Sequence, residues 1–347
     1  MASRTSLIPA RSKWITGNKP PVLDHRILST FPSASTESLP ELCDALLHQQ
    51  RSSWPQLIDG YAALMNVSVR EIECEGYSVY VQHNPARIVS SGANVDPGFI
   101  SVRTCFLCVE NLPPEQRGVL YRDEFLFLCN PAPIFHKHLT ISHIKHIPQA
   151  IEGAISVLLE LARDVSPSFT IFYNGPKCGA SAPDHLHFQA CPSGTIPIER
   201  EATNPARREW KKATGSVSVF TLKTIGRQAI VIEGVGSTDV EHCLSRLISA
   251  MRDTVRTSEE SMMNILCSHK EGTWRVIVFP RRKHRPDVFF KKGTEQVLIS
   301  PAAVDIGGLV ITPVERDFNR VDGRMIQSLY DEVLLDAETV NRIIDAM

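Results

Sequence analysis

The chain has 347 residues, 43% of them hydrophobic and 22% charged, with a formal net charge of −1. That is an ordinary globular composition, with length for two domains or one large duplicated unit. It excludes a global basic field for nucleic-acid binding, and no run of 18 apolar residues offers a membrane span. The cysteines number nine, an odd count, and are scattered through the chain. They fit a reducing compartment better than a disulfide framework, so the expected location is the cytoplasm.

In chain order, residues 1–38 read as an N-terminal arm. Their first part carries Arg4, Arg11, Lys13 and Lys19 without an acid, a pattern shared with targeting sequences. Residues 39–65 have helical spacing, broken near Ser52 to Pro55. "VREIECEGYSVYVQHNP" reads as a hairpin turning at Glu75 and Gly76. Residues 85–100 read as a loop, and "CFLC" follows at 105–108. "VLYRDEFLFLCNPAP" gives one or two strands ending at Asn130 and Pro131. A strand from His138 breaks between His146 and Pro148, and an amphipathic helix is predicted over 149–164. "FTIFYN" is the next strand, before a Gly-rich loop and the strand "HLHFQ". Beyond a polar linker, "EREATNPARREWKKATG", come strands at "SVSVFTLK" and "AIVIEG" and a helix over 239–255. Strands at "NILCSH", "WRVIVFPRR" and "GGLVITPV" and helices from Met325 complete the chain. The expected class is α+β, with largely antiparallel sheets and helices packed on them. The expected units are a catalytic half over 39–200 and a second, degenerate half over 201–347.

The segment "NGPKCGASAPDHLHFQAC", residues 174–191, concentrates the chemistry. In a strand, alternate side chains share a face. His185, His187 and Gln189 would therefore stand in a row, opposite Leu186, Phe188 and Ala190. The loop before them offers phosphate partners: backbone N–H groups, Gly179 among them, the Ser181 hydroxyl and Lys177. Six of the twelve histidines lie between residues 136 and 187, which argues against an incidental polar face.

"NGPKCGASAPDHLHFQ" resembles the active-site segment of the histidine-triad superfamily. The likeness is to the branch holding galactose-1-phosphate uridylyltransferase, diadenosine tetraphosphate phosphorylase and the GDP-hexose phosphorylases. "NPAPIFHKHLTISHIKH" resembles the nucleotide-side strand of the same fold, so the likeness covers residues 105–191. Asp184 stands between Pro183 and His185, where the uridylyltransferases run directly from proline to histidine. The resemblance implies a histidine-triad-like fold of two half-domains, with His187 as the residue that becomes nucleotidylated. It implies Gln189 as the donor holding the nucleotidyl phosphate and Ser181 on the departing or incoming phosphate. Asn174 would meet the substrate phosphate or sugar, and Asn130 the ribose. The small hydrolases of the superfamily carry a third histidine where this chain has Gln189. A neutral amide does no acid–base work near pH 7, which favours transfer over hydrolysis.

The implied activity is nucleotidylyl transfer by double displacement. The donor would be a nucleoside diphosphate sugar or dinucleoside polyphosphate, and the acceptor phosphate or a sugar 1-phosphate. A hydrolase of dinucleoside polyphosphates and a catalytically silent nucleotide-binding protein are the alternatives. A homodimer is compatible with this reading; nucleic acid and membrane are not expected partners.

Cys105 and Cys108 form a C-x-x-C pair, which outside a βαβ context points to zinc, with histidines completing the set. The resemblance supplies His185 and one upstream histidine, His143 or His146, and its spacing from His138 selects His146. Iron in place of zinc would suit the same ligands. His136 and His138 read as partners on one strand face, in a functional or a core role. "RRKHR", residues 281–285, is a solvated charge run or a phosphate contact. Cys178 has no activating partner and is not expected to be a nucleophile.

Overall fold

The structure is a computed structural model that describes residues 23–347. The basic stretch read as an arm or targeting sequence therefore lies, up to residue 22, outside the described residues. The first half contributes β1 (Ile27–Phe31), β2 (Ser68–Glu73), β3 (Ser78–His83) and β4 (Gly118–Tyr121). It continues with β5 (Phe125–Cys129), β6 (Leu139–His143), β7 (Phe169–Asn174) and β8 (His187–Pro192). The second half adds β9 (Arg208–Thr214), β10 (Val217–Leu222) and β11 (Ile230–Gly234). Then follow β12 (Met263–Lys270), β13 (Thr273–Pro280) and β14 (Leu309–Thr312).

Eleven strands make one sheet, in the order β1-β4-β5-β6-β8-β7-β12-β13-β11-β10-β9, and β14-β3-β2 make a second. Among the described residues, only the β1–β4 pairing of the large sheet is parallel. The two expected halves share this sheet. Their seam is the β7–β12 ladder, which sets Asn174 opposite Asn264. A second crossing comes from β14, which pairs with β3 of the hairpin.

Strands such as "FLFLC" and "FTIFYN" are apolar or buried at every position because both faces of the sheet are covered. The helices Leu39–Ser53, Ile155–Asp164, Ser237–Val255 and Ala337–Ala346 cover one face, over a core that includes Phe127, Ile171, Phe188 and Ala190. The other face carries Phe172, Leu266 and Phe279, packed against Val79, Val81 and Val310 of the small sheet and Leu329 of the helix Gly323–Val333. Alternation along β8 therefore buries Phe188 and Ala190 under the helices. It turns His187 and Gln189 to the opposite face, beside Ser142, Thr140 and Phe172 of the neighbouring strands.

Several segments differ from the sequence reading. Inside the expected arm, Ile27–Phe31 is a strand, added to the sheet edge beside β4. The helix predicted over 149–164 begins at Ile155, because the inward-turned Gln149 holds the preceding chain against β8. The expected loop 85–100 contains short helices at Ile88–Ser91 and Pro97–Val102, the latter capped by Asp96. Within the expected linker, Pro197–Thr203 is helical and "REWKKAT" is edge strand β9, which needs little apolar alternation. Among the described residues no helix is long and apolar enough to cross a membrane.

Candidate active site

His187 opens β8 facing a cavity of about 1030 Å³. Its Nδ1 lies 2.8 Å from the His185 carbonyl oxygen, so Nδ1 carries the proton and Nε2 keeps a free lone pair. Burial holds the ring well below its ordinary value, at about 4, which keeps it neutral at neutral pH. Gln149 fixes the backbone. Its Oε1 accepts from the His187 N–H (2.8 Å), and its Nε2 donates to the carbonyls of His187 (3.1 Å) and Asn174 (2.9 Å).

Two amides share the cavity with His187, and each has its oxygen tied down from behind. His138 is fully buried and held neutral, at about 3, by burial. Its Nδ1 accepts from the Ile134 N–H at 3.2 Å, so its Nε2 donates to Gln189 Oε1 at 2.9 Å. The oxygen of Asn174 accepts from Asn264 Nδ2 (2.8 Å) and the Ala303 N–H (2.9 Å). Behind Asn264, the buried Arg281 donates to its Oδ1 at 2.6 Å. Both Gln189 and Asn174 line the cavity, with their NH2 groups as the ends left to meet a ligand. A neutral nucleophile beside two oriented donors suits attack on a phosphoryl group.

Of the other predicted site residues, Ser181, Gly179 and Asn130 line the same cavity. Gly179 has φ +94, and a Cβ there would lie 2.7 Å from that of Ala302, so this turn requires glycine. Asn130 accepts from the Ala132 N–H (3.0 Å) and donates to Thr140 (3.3 Å). Lys177 is not brought to the cavity; its ammonium pairs with Glu259 at the surface. Cys178 is buried, its thiol pushed up to about 12 by burial, and it offers its carbonyl to Asn264. His136 is exposed and His138 buried, and both precede β6, so the shared strand face is absent. The "RRKHR" run divides: Arg281 is interior, Lys283 pairs with Asp287 and Glu332, and His284 and Arg285 line the cavity.

Beside the cavity, ligand atoms of Cys105, Cys108, His146 and His185 all lie within 4.8 Å of one another. His185 Nδ1 is 3.4 Å from Cys105 Sγ and 3.6 Å from Cys108 Sγ, and His146 Nδ1 is 3.2 Å from Cys108 Sγ. Tetrahedral zinc spaces thiolate and imidazole ligands about 3.3–3.8 Å apart, and these three separations lie in or close to that range, so small shifts would let the set hold such an ion. His185 Nε2 donates to the His143 carbonyl (2.7 Å), which leaves Nδ1 turned to the sulfurs. Asp184 reaches toward His146 Nε2 (3.7 Å) and pairs with Arg103. His143 is outside the cluster, its ring edge-on to Phe125 at 5.0 Å.

Gln149, His138 and Asn264 complete the frame. Asn264 had a signal, a lone amide in the apolar run "MNILC"; Gln149 had none in its local pattern.

The broad, largely antiparallel sheet that carries His187 on β8, with the Cys and His cluster at the entry to that strand, is an architecture shared with solved structures. Yeast Ap4A phosphorylase Apa2 in complex with AMP superposes with a TM-score of 0.57 at 14% identity, over 86% of this chain and 97% of that one. The same protein in complex with Ap4A gives 0.57 at 13% identity, over 86% and 98%. A uridylyltransferase mutant aligns over 64% of this chain and 88% of that one, at 11% identity and a TM-score of 0.34, a likeness too loose to carry an argument. Residues 46–192 match a domain of unknown function, DUF4922, and residues 197–346 match the GDPGP1-like C-terminal domain. No curated protein matches the chain in sequence. The chain thus shares its fold with Ap4A phosphorylase, and its second half matches the GDPGP1-like C-terminal domain.

Proposed function

We propose that the protein is a nucleotidylyltransferase that works by double displacement, taking a nucleoside monophosphate from a nucleoside diphosphate sugar or a dinucleoside polyphosphate and passing it to phosphate. The observation that carries this reading is the His187 ring, with Nδ1 committed to the His185 carbonyl and Nε2 free at the cavity. In the first half-reaction Nε2 attacks the α-phosphorus, and the bond to the bridging oxygen breaks with its electron pair on the departing group. Gln189 and Asn174 donate to the non-bridging oxygens as charge develops there. In the second half-reaction a phosphate oxygen attacks the same phosphorus, and the P–N pair returns to Nε2. Neither amide offers a proton, which disfavours activation of water. Phosphate as acceptor is further supported by the likeness to Ap4A phosphorylase. Zinc, bound by Cys105, Cys108, His146 and His185, would cross-link the cysteine loop to the turn before β8 and so help hold the catalytic strand.

The test is a panel of UDP-, GDP- and ADP-sugars and dinucleoside polyphosphates, offered with and without phosphate and followed by intact mass. The expected result is an NMP adduct on His187 without phosphate, discharged as nucleoside diphosphate when phosphate is added. Full activity in His187→Asn, or no adduct with any donor, overturns the proposal. Phosphate-independent release of NMP to water would make the protein a hydrolase.

A further inference from the structure

We infer that Arg87 and Arg285 form an anion subsite in the His187 cavity, which holds the phosphate group that departs and then the phosphate that enters while the nucleotide stays on His187. The inference rests on the nucleotidyl-transfer reading for its role in the reaction, but the anion site stands on separate observations.

Three arginines line the cavity: Arg87, Arg103 and Arg285. Arg103 is neutralised by Asp184. The other two have no carboxylate partner among the described residues. Arg87 makes one hydrogen bond, to the Ala132 carbonyl at 2.9 Å, and its Nε is buried without a partner. The nearby Asp305 attracts it but forms no ion pair with it, because its oxygens accept from the N–H groups of Ala302 and Ile311, each at 2.9 Å. Arg285 donates to Ser300 Oγ (2.9 Å) and to the carbonyls of Ser91 (3.4 Å) and Ala93 (2.8 Å). By contrast, Arg208, Arg227 and Arg275 each meet a glutamate, and the interior Arg281 spends its donors on Asn264 and four backbone carbonyls. A partly desolvated cation held in no ion pair is costly, and two such guanidiniums facing one cavity mark a place for an anion. The planar guanidinium fork suits phosphate oxygens.

The chemistry needs such a place. When the α-phosphorus moves to Nε2, the bridging oxygen leaves with an electron pair and becomes part of a phosphate monoester or phosphate anion. That group needs positive charge and no proton. Burial lowers the Arg87 guanidinium to about 10, so at neutral pH it still offers charge and not a proton. In-line displacement returns the acceptor to the position the leaving group vacated, so one subsite serves both. It admits phosphates and phosphate monoesters and gives water no comparable hold.

The test compares full-length wild type with Arg87→Gln, Arg285→Gln and Arg87→Lys. Three quantities are measured: adduct formation without phosphate, the phosphate dependence of nucleoside diphosphate release, and the thermal shift caused by inorganic phosphate alone. Both Gln variants are expected to raise the phosphate KM about 10- to 100-fold and to lose the phosphate-induced shift. Arg87→Lys, which keeps the charge without the fork, should recover part of both. An unchanged phosphate KM and shift in both Gln variants would overturn the inference, as would a loss confined to donor binding. If wild type forms no adduct yet is stabilised by phosphate through Arg87, the transfer reading falls and the anion subsite stands.

Discussion

His138 Nε2 lies 2.9 Å from Gln189 Oε1, and this contact decides which end of the Gln189 amide faces the cavity. With the oxygen held from behind, the NH2 group faces the cavity. His138→Phe keeps a buried ring and deletes the donor, which frees the amide to turn. Adduct formation should slow about 10- to 100-fold while the donor KM changes little, the pattern of an interaction strengthened in the transition state. The check is single-turnover adduct formation on a variant with a native circular dichroism spectrum. An unchanged rate would remove His138 from this role.

Gln149 makes three hydrogen bonds to backbone groups around His187 and Asn174. Gln149→Met preserves much of its shape and leaves one N–H and two carbonyls without their partner. At about 1 kcal/mol or more for each orphaned group, the loss should be about 3 kcal/mol in urea unfolding. The rate of adduct formation should fall with it, because the same bonds hold the start of β8. A loss below about 1 kcal/mol would mean that these groups find other partners.

The strand carrying His187 and Gln189 was legible because alternation and a buried partner face leave few choices, and the Cys105 and Cys108 spacing announced a cluster. The order of the sheet was not. The pairing of β7 with β12 joins residues about ninety positions apart, and nothing local in "FTIFYN" or "NILCSH" specifies that neighbour. The same limit hid the polar frame. Asn264, Arg281 and Gln149 act on residues of other strands, so their roles exist only after the sheet has formed. Lys177 misled for the complementary reason: a lysine in a Gly-rich loop suits phosphate, but the turn at Gly179 leaves it outside the cavity, against Glu259.

The cluster of Cys105, Cys108, His146 and His185 yields three discriminating variants. Purified protein should carry about one zinc per chain. His146→Ala and Cys105→Ser should lose it, with a melting temperature lower by about 5 °C or more. His143→Ala should keep the metal, since that ring packs against Phe125. Metal analysis by plasma emission, with a melting curve before and after chelation, checks both. Metal lost from His143→Ala and kept by His146→Ala would reverse the assignment.

Glu260 ties the site to pH. It accepts from the Tyr173 hydroxyl (2.7 Å) and the Ile151 N–H (2.6 Å), so it braces β7 just before Asn174 and the chain just after Gln149. Burial outweighs these bonds and raises its pKa from 4.5 to about 6. A raised carboxyl binds its proton more tightly in the folded state. Its contribution is therefore present in full below 4.5 and is lost as pH rises through about 6. A shift of this size corresponds to about 2 kcal/mol. Glu260→Gln cannot ionise, so its unfolding free energy relative to wild type should improve by about that amount between pH 4.5 and pH 7. Urea midpoints for both proteins across that range measure the difference. A gap that stays constant with pH would show that Glu260 has the same pKa folded and unfolded, and that burial does not govern it.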